Sequence, residues 1–321
     1  MKPGDHGLSP EGADEAWAAS LAALDDTSLD QVAKMQVDPW ARAAVVCAST
    51  VFTAPIEWCA VLLGRGSEVV LKVPGSDPDF ARVLVDAAAA TGLPLSATTD
   101  RQAIANCEYV LAMGSDESVA EIGRGLASSV AFEPHGHRFS AAWICGAELA
   151  DDALIPADFR DAVGSVAADA ALYDGRGCLS PVVVFTTLSS ATDELAEALA
   201  RAQDRWPRGQ ISDHEAASIR TRAALAKVTG RVRSGRDWSV HELPAAHWKP
   251  IALPRSIALV RVADEAEAAA VLRPWKSSLS TIGTDGTWED GPRVCRVGRM
   301  QRPGLHRLHD GVDWLRTTAR P

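Results

Sequence analysis

Short apolar runs alternate with capped helical segments along most of this chain, and this alternation constrains the possible folds more than any other feature. Residues 43–48, 109–113 and 182–187 have the length and composition of buried strands. The first helical segment opens with Ser9 as an N-cap and Pro10 at the first helical position. Parallel strands need crossover helices, so the alternation predicts an α/β fold with helices on both faces of parallel sheets.

The alternation becomes less regular between residues 206 and 254, where proline, glycine, arginine and tryptophan are interleaved. We expect an irregular excursion or a subdomain there. A group of arginines in and beside this region could bind the phosphates of a ligand, although a solvated basic face is the commoner reason for such a group. Its members are Arg201, Arg205, Arg208, Arg220, Arg222, Arg231, Arg233 and Arg236.

Composition excludes several classes of protein. With 321 residues, 47% of them hydrophobic, the chain can form one large or two medium domains. A net charge of -10 argues against nucleic acid as the main partner. The six cysteines are dispersed without a CxxC pair, which favours free thiols in a reducing cytoplasm. Neither a secretory leader nor an apolar run long enough to span a bilayer is evident, so we expect a cytoplasmic protein with no membrane span.

One cysteine, Cys178, follows two closely spaced glycines and precedes an apolar run. Gly175 and Gly177 allow a tight turn and a close approach of the backbone to a ligand. A thiolate after such a turn can be stabilised by nearby amide dipoles, which makes Cys178 a candidate nucleophile. The alternative is a buried structural thiol, because cysteine often behaves as a small hydrophobic residue.

Polar groups follow three of the predicted strands, at the edge where open α/β sheets bind their ligands. These groups are Ser49 with Thr50, Lys72, and Gly114 with Ser115. A glycine and serine at a helix start offer free amides to an anion, and a lysine adds positive charge. Together they favour a crevice for a dinucleotide, although each group alone is more often structural.

His135 and His137 form the only pair with a spacing typical of metal ligands. With two candidate ligands and no neighbouring cysteine, a surface or supporting role is favoured over a metal site. We therefore expect no metal.

The motifs together resemble the aldehyde dehydrogenase superfamily and, within it, the acyl-CoA reductases that make fatty aldehyde in bacterial luminescence systems. Residues 173–181 look like the nucleophile motif of those reductases, and residues 298–303 with 309–311 look like their closing segment. Residues 66–78 are similar to the superfamily's pattern of glycine, strand, lysine and proline. Residues 113–115 resemble the start of its pyrophosphate-facing helix, and residues 133–136 its general-base motif.

The resemblance implies two Rossmann-type three-layer α/β/α domains with the active site in the cleft between them. Residues 1–134 would bind the nicotinamide cofactor, with residues 300–321 as a candidate segment to complete that domain, and residues 135–299 would carry the catalytic cysteine. A homo-oligomer or an acyl-transferring partner protein is compatible with this arrangement.

The resemblance also assigns roles to individual residues. Cys178 would be the nucleophile, and Glu133 would either activate the thiol or be a vestige of the superfamily's base. The residues that contact the cofactor would be Lys72, Pro74, Gly75, Gly114 and Ser115. Ser49, with Thr50 beside it, stands where the superfamily has an asparagine that holds the oxyanion, and this departure puts activity in doubt.

The reaction implied is NADPH-dependent reduction of an acyl-CoA to the aldehyde, through an acyl-enzyme on Cys178 and with coenzyme A as leaving group. Gly75 favours NADPH, because a carboxylate near that position would repel a 2′-phosphate. Two alternatives stay open. One is a catalytically weakened relative that acts as a binding or subunit partner, and the other is NAD(P)-dependent oxidation of an aldehyde.

Overall fold

The computed structural model describes residues 7–48, 50–75, 78–145, 157–289 and 291–320. Five strands form a first sheet: β1 (Arg42–Val46), β2 (Glu68–Lys72), β3 (Leu95–Thr98), β4 (Tyr109–Met113) and β5 (Ala131–His135). Seven strands form a second sheet: β6 (Phe139–Ile144), β7 (Pro181–Thr186), β8 (Arg231–Ser234), β9 (Ser239–Glu242), β10 (Ser256–Arg261), β11 (Leu279–Thr284) and β12 (Val294–Arg296).

Helices connect and cover these strands. In chain order they are α1 (Pro10–Leu21), α2 (Asp26–Ala33), α3 (Pro55–Gly64), α4 (Pro78–Ala90), α5 (Asp116–Gly125), α6 (Ala157–Ala171), α7 (Ala191–Arg205), α8 (Asp213–Thr229), α9 (Glu265–Leu272) and α10 (Trp314–Thr317). None of the helices in the described part of the chain has the length and apolar character needed to cross a membrane.

Local capping explains where two of these helices begin. The Ser9 hydroxyl accepts a hydrogen bond from the Gly12 amide at the start of α1, and the Ser115 hydroxyl accepts one from the Ser118 amide at the start of α5. Each bond satisfies an amide that has no partner inside the helix. The predicted cap at Ser9 is thus confirmed, and of the two caps that the sequence allows for α5, Ser115 and Asp116, the structure uses Ser115.

The strand order confirms the predicted α/β class. The first sheet is parallel throughout, in the order β3-β2-β1-β4-β5. The second sheet has the order β12-β11-β6-β7-β10-β9-β8 and is parallel except where β8 joins β9. In the first sheet the order reverses between β1 and β4, and a reversal of this kind opens a crevice at the carboxyl ends of the strands.

Alternating side chains along the central strands build a core on each face of each sheet. In β1, Val45 belongs to one apolar cluster and Val46 to the cluster on the opposite face. In β6, Ile144 and Trp143 divide in the same way between the two clusters of the second sheet. Both sheets are therefore the middle layer of an α/β/α sandwich, as the aldehyde-dehydrogenase resemblance implies.

The region from 206 to 254 is more regular than its sequence suggests. It contains the 17-residue helix α8 and the antiparallel pair β8 and β9, which closes one end of the second sheet. Helix α8 buries only Arg222 and Ala226. It therefore lacks the apolar stripe on which helix prediction depends, and the expectation of an irregular excursion was wrong for this segment.

The end of the chain returns to the first sheet. Leu305, Trp314 and Leu315 pack in the same apolar cluster as β1 and α3, whereas residues 139–296 provide the strands of the second sheet. The domain limits at 134 and 299 stay a prediction.

A left-handed turn, Leu172–Gly175, precedes Cys178. Tyr173 and Asp174 have φ angles of 56° and 55°, values that are costly for residues with a Cβ. The Tyr173 hydroxyl bonds to Thr53 Oγ1 at 2.6 Å, and the Asp174 carboxylate accepts from Arg255 Nε at 2.8 Å. The side chains of Asp174 and Arg255 are each 2% exposed, so a buried ion pair holds the turn.

This ion pair gives a stability prediction. Asp174→Ala leaves the Arg255 guanidinium buried without its counter-charge, and we expect a loss of about 3–5 kcal/mol in the free energy of unfolding, measured by urea denaturation. The control is Asp193→Ala, which breaks exposed pairs with Arg231 and Arg233 and should cost less than about 1 kcal/mol. Equal costs for the two variants would contradict the structural role of Asp174.

Candidate functional site

A cavity of about 490 Å³ lies between the two sheets. The carboxyl ends of first-sheet strands contribute Ala48, Met113 and His135 to its wall, and the segments that lead into β7 and β10 contribute Cys178 and Pro254. Only residues 136–138 separate β5 from β6. This short connection brings the carboxyl edge of one sheet against the amino edge of the other.

Cys178 is half-buried in the wall of this cavity. Its carbonyl oxygen accepts a hydrogen bond from Ser140 Oγ at 2.7 Å, which ties the loop to β6. Gly175 has φ 71°, and a Cβ there would lie 3.3 Å from the Arg255 amide nitrogen. The turn before the cysteine therefore needs glycine for both its conformation and its close contact, in line with the prediction of a tight turn.

The resting thiol of Cys178 is protonated at neutral pH. Burial raises the pKa of this thiol to about 12, and the negative charge of Asp310 acts in the same direction. The positive charge of Arg307 acts against both effects. Any role as a nucleophile therefore requires that the proton leave when substrate is bound.

Glu133 contacts the cavity only indirectly, through His135. It is not among the residues that line the cavity, and its two carboxylate oxygens bond to His135 Nε2 at 2.9 Å and to the Tyr109 hydroxyl at 2.6 Å. Burial alone would raise the pKa of Glu133, but hydrogen bonds, that of His135 foremost, lower it overall. Glu133 is thus an ionised group that supports His135.

His135 lies between two carboxylates. Its Nε2 faces Glu133, and its Nδ1 is 3.5 Å from Asp310 Oδ2. Burial opposes a charge on the ring, but the hydrogen bonds of Asp310 and Glu133 raise the pKa of His135 overall. The pKa of Asp310 is lowered despite its burial, by the neighbouring rings of His135 and His309 and by the hydroxyl of Ser280.

The residues predicted to bind cofactor divide into two groups. Thr50, Gly114 and Ser115 line the cavity with Cys178. Lys72, Pro74 and Gly75 do not line the cavity. Lys72 is the last residue of β2, the strand that pairs with β1, and its carbonyl oxygen accepts a hydrogen bond from the Cys47 amide at 2.9 Å. Ser49 lies outside the described residues.

The sequence analysis did not identify several of the individual residues that line the cavity. Arg307, whose Nη1 donates to Glu57 Oε2 at 2.8 Å, lines the cavity with Gln301, His309 and Asp310. All except Glu57 belong to or adjoin the closing segment that the sequence resemblance singled out. The resemblance located that segment, but it gave these residues no role.

Solved structures share this architecture. An oxidoreductase from Marinobacter aquaeolei is 11% identical with a TM-score of 0.75, over 98% of this chain and 79% of that one. An indole-3-acetaldehyde dehydrogenase of P. syringae, solved with NAD+, is 12% identical with a TM-score of 0.67, over 88% and 67%. Proline utilization A from Bradyrhizobium japonicum is 16% identical with a TM-score of 0.63, over 88% of this chain but only 34% of that protein. At these identities the likeness concerns the fold.

A sequence comparison with curated proteins found no match. Residues 94–320, in contrast, match a family model described as Acyl-CoA reductase (LuxC). The matched region contains Gly114, Ser115, Glu133 and Cys178, and it extends through the closing segment with His309 and Asp310. The chain therefore belongs to the LuxC family of acyl-CoA reductases.

Proposed function

We propose that this protein reduces an acyl-CoA to the corresponding aldehyde, with Cys178 as the nucleophile and NADPH as the source of hydride. The observation that carries the proposal is the position of Cys178, whose side chain shares a cavity with Gly114 and Ser115 at the start of α5. Membership of the acyl-CoA reductase family supports the class of substrate.

The first sheet has features that suit a dinucleotide. Its crevice lies where strand order reverses, and the first amides of α5 follow Gly114 directly. Acidic Asp116 at this helix start would repel a pyrophosphate, but its carboxylate already accepts from the His137 amide at 2.7 Å. When bound, the nicotinamide would supply hydride chemistry that no side chain can provide.

Cys178 would act in two steps. Its sulfur attacks the thioester carbonyl carbon, the bond from that carbon to the coenzyme A sulfur breaks, and coenzyme A leaves as the thiol after taking up the proton that Cys178 gives up. Hydride supplied to the acyl carbon by a bound nicotinamide would allow the bond to Cys178 to break and the aldehyde to leave. The cysteine takes up a proton from solvent, so each turnover consumes one proton and one NADPH.

Side chains around Cys178 support this sequence. The positive charge of Arg307 opposes the effect of burial on the pKa of the thiol, so it would stabilise the thiolate once the proton leaves. Thr50 lines the same cavity and offers one hydroxyl donor to the developing oxyanion. The Ser140 hydroxyl donates a hydrogen bond to the Cys178 carbonyl oxygen, which fixes the loop that carries the sulfur.

The position of Glu133 favours reduction over oxidation of an aldehyde. Oxidation to an acid requires a base that activates water beside the acyl-enzyme. Glu133 is absent from the residues that line the cavity and is bonded to Tyr109 and His135. Hydride transfer to the acyl-enzyme needs no such water, so this arrangement supports the reductase.

One observation favours the second candidate, a weakened relative that binds acyl-CoA or a partner subunit without turnover. The pKa of the Cys178 thiol is raised to about 12 by burial, and such a thiol is a poor nucleophile until its environment changes. Acylation is the step that separates the two candidates.

Acylation can be measured directly. Incubation with octanoyl-CoA or palmitoyl-CoA in the absence of NADPH should add the mass of one acyl group to the intact protein. The adduct should be lost in Cys178→Ala and retained in Cys145→Ala, which removes the exposed cysteine instead. Wild-type protein that stays unmodified with both chain lengths would refute the role of Cys178 as nucleophile and favour the weakened relative.

The protonation state of Cys178 predicts a pH dependence in the free protein. Because only the thiolate reacts, alkylation of Cys178 by iodoacetamide should accelerate about tenfold per pH unit from pH 7 to pH 10. For an ordinary cysteine, the rate of alkylation levels off once the pH exceeds about 8.5. Peptide mass spectrometry of the Cys178 peptide gives the rate, and a plateau below pH 9 would contradict the raised pKa.

Cofactor preference tests the assignment of Gly75. A Cβ at this position would meet no heavy atom within 4 Å, so Gly75→Glu should fold normally and place a carboxylate beyond β2. We expect wild-type protein to bind NADPH more tightly than NADH, and Gly75→Glu to shift the ratio at least tenfold toward NADH. Calorimetry measures both affinities. Gly125→Glu, which adds the same charge at the far end of α5 in equally open space, should leave the ratio unchanged, and wild-type preference for NADH would overturn the argument.

A further inference from the structure

Two histidines and an aspartate from distant parts of the sequence meet at one wall of the cavity. His135 ends β5, and His309 and Asp310 lie in the closing segment. One nitrogen or oxygen atom from each of these residues lies within 4.8 Å of the other two. We call this group the His–His–Asp cluster.

The distances within the cluster are long for hydrogen bonds. His135 Nδ1 is 3.5 Å and His309 Nδ1 is 3.6 Å from the same atom, Asp310 Oδ2. Hydrogen bonds between nitrogen and oxygen usually span about 2.7–3.2 Å. Ligands placed about 2.0–2.1 Å from a tetrahedral Zn²⁺ are roughly 3.3 Å apart, which is closer to the spacing found here.

His309 offers a nitrogen that lacks a partner. Its Nδ1 is buried and makes no hydrogen bond within the described part of the chain, while the side chain as a whole is only 12% exposed. A buried polar atom without a partner costs about 1–3 kcal/mol. This nitrogen points toward the Asp310 oxygen that His135 also faces, so one ion could satisfy all three groups.

The outer contacts of the cluster leave these three atoms available. His135 uses its other nitrogen, Nε2, to bond with Glu133 at 2.9 Å, and Asp310 uses its other oxygen, Oδ1, to accept from Ser280 Oγ at 2.9 Å. Histidine ligands of metals commonly donate their second nitrogen to a carboxylate in this way, which fixes the ring and its tautomer.

We propose that the His–His–Asp cluster binds a first-row divalent transition metal, Zn²⁺ in particular, through His135 Nδ1, His309 Nδ1 and Asp310 Oδ2. Two imidazoles and one carboxylate suit Zn²⁺ better than Mg²⁺ or Ca²⁺, which prefer oxygen ligands throughout. Trp58 packs against both rings, with centroid distances of 5.2 and 5.3 Å, and holds them in place. The remaining coordination positions face the cavity that contains Cys178.

Two cations, Arg138 and Arg307, oppose a metal ion at this cluster: Arg307 acts on His309, and Arg138 lies nearest Asp310 Oδ2. The Nε of Arg138 lies 4.0 Å from Asp310 Oδ2, and the Arg138 side chain is 29% exposed. At that distance it makes no hydrogen bond with the carboxylate, and its exposure allows it to move away when a cation arrives. If no metal binds, the same geometry describes a His135 ring held between the carboxylates of Glu133 and Asp310.

Titration with ZnCl₂ tests the proposal. Chelator-treated Cys178→Ser protein, in which the cavity thiol cannot bind metal, should take up one Zn²⁺ with a dissociation constant of micromolar or below by calorimetry. His309→Gln and His135→Gln should each weaken binding at least 100-fold, and Glu133→Gln should weaken it by about 10–100-fold through the ring that it orients. His137→Gln and His306→Gln are the matched controls and should bind like the parent.

Cobalt provides an independent measurement. Addition of CoCl₂ should produce the intense visible absorption of a four- or five-coordinate site, and His309→Gln should abolish it while its circular dichroism stays unchanged. Absence of 1:1 uptake, or binding that survives in both His135→Gln and His309→Gln, would overturn the proposal and leave a metal-free His135 between Glu133 and Asp310 as the correct description.

Discussion

The buried ion pair between Asp174 and Arg255 is the interaction on which the candidate site depends. It joins the turn before Cys178 to the residue before β10, and both partners have backbone φ angles in the left-handed region. The other non-glycine residues with positive φ in the described part of the chain are Tyr173 and Asp310. All four residues line the cavity or hold its walls, so the conformational cost is concentrated where the chemistry is proposed.

The cavity itself results from the way two sheets meet. Parallel strands place all their carboxyl ends on one edge, and the short connection from β5 to β6 sets that edge against the amino ends of β6 and β7. A thiol at the start of β7 therefore faces a helix start at the end of β4. Neither sheet alone could bring Cys178 and the start of α5 within one cavity.

The sequence predicted what depends on local patterns and failed where contacts are long-range. Periodicity and caps located the buried strands and the starts of α1 and α5, because both signals lie within a few residues. Helix α8 lacked an apolar stripe, so its segment was misjudged. The left-handed Tyr173 is set by a bond to Thr53, 120 residues away, and His135 meets Asp310 across 175 residues. No local pattern contains such information.

The return of the closing segment to the first sheet has a consequence for the order of assembly during synthesis. Trp314 and Leu315 complete a core that β1 begins some 270 residues earlier, whereas the strands of the second sheet are all made by residue 296. A ribosome would therefore release the second sheet ready to fold while the first still lacks part of its interior. Arg307, His309 and Asp310 arrive with that last segment, so the wall of the cavity is complete only after residue 310 has been synthesised.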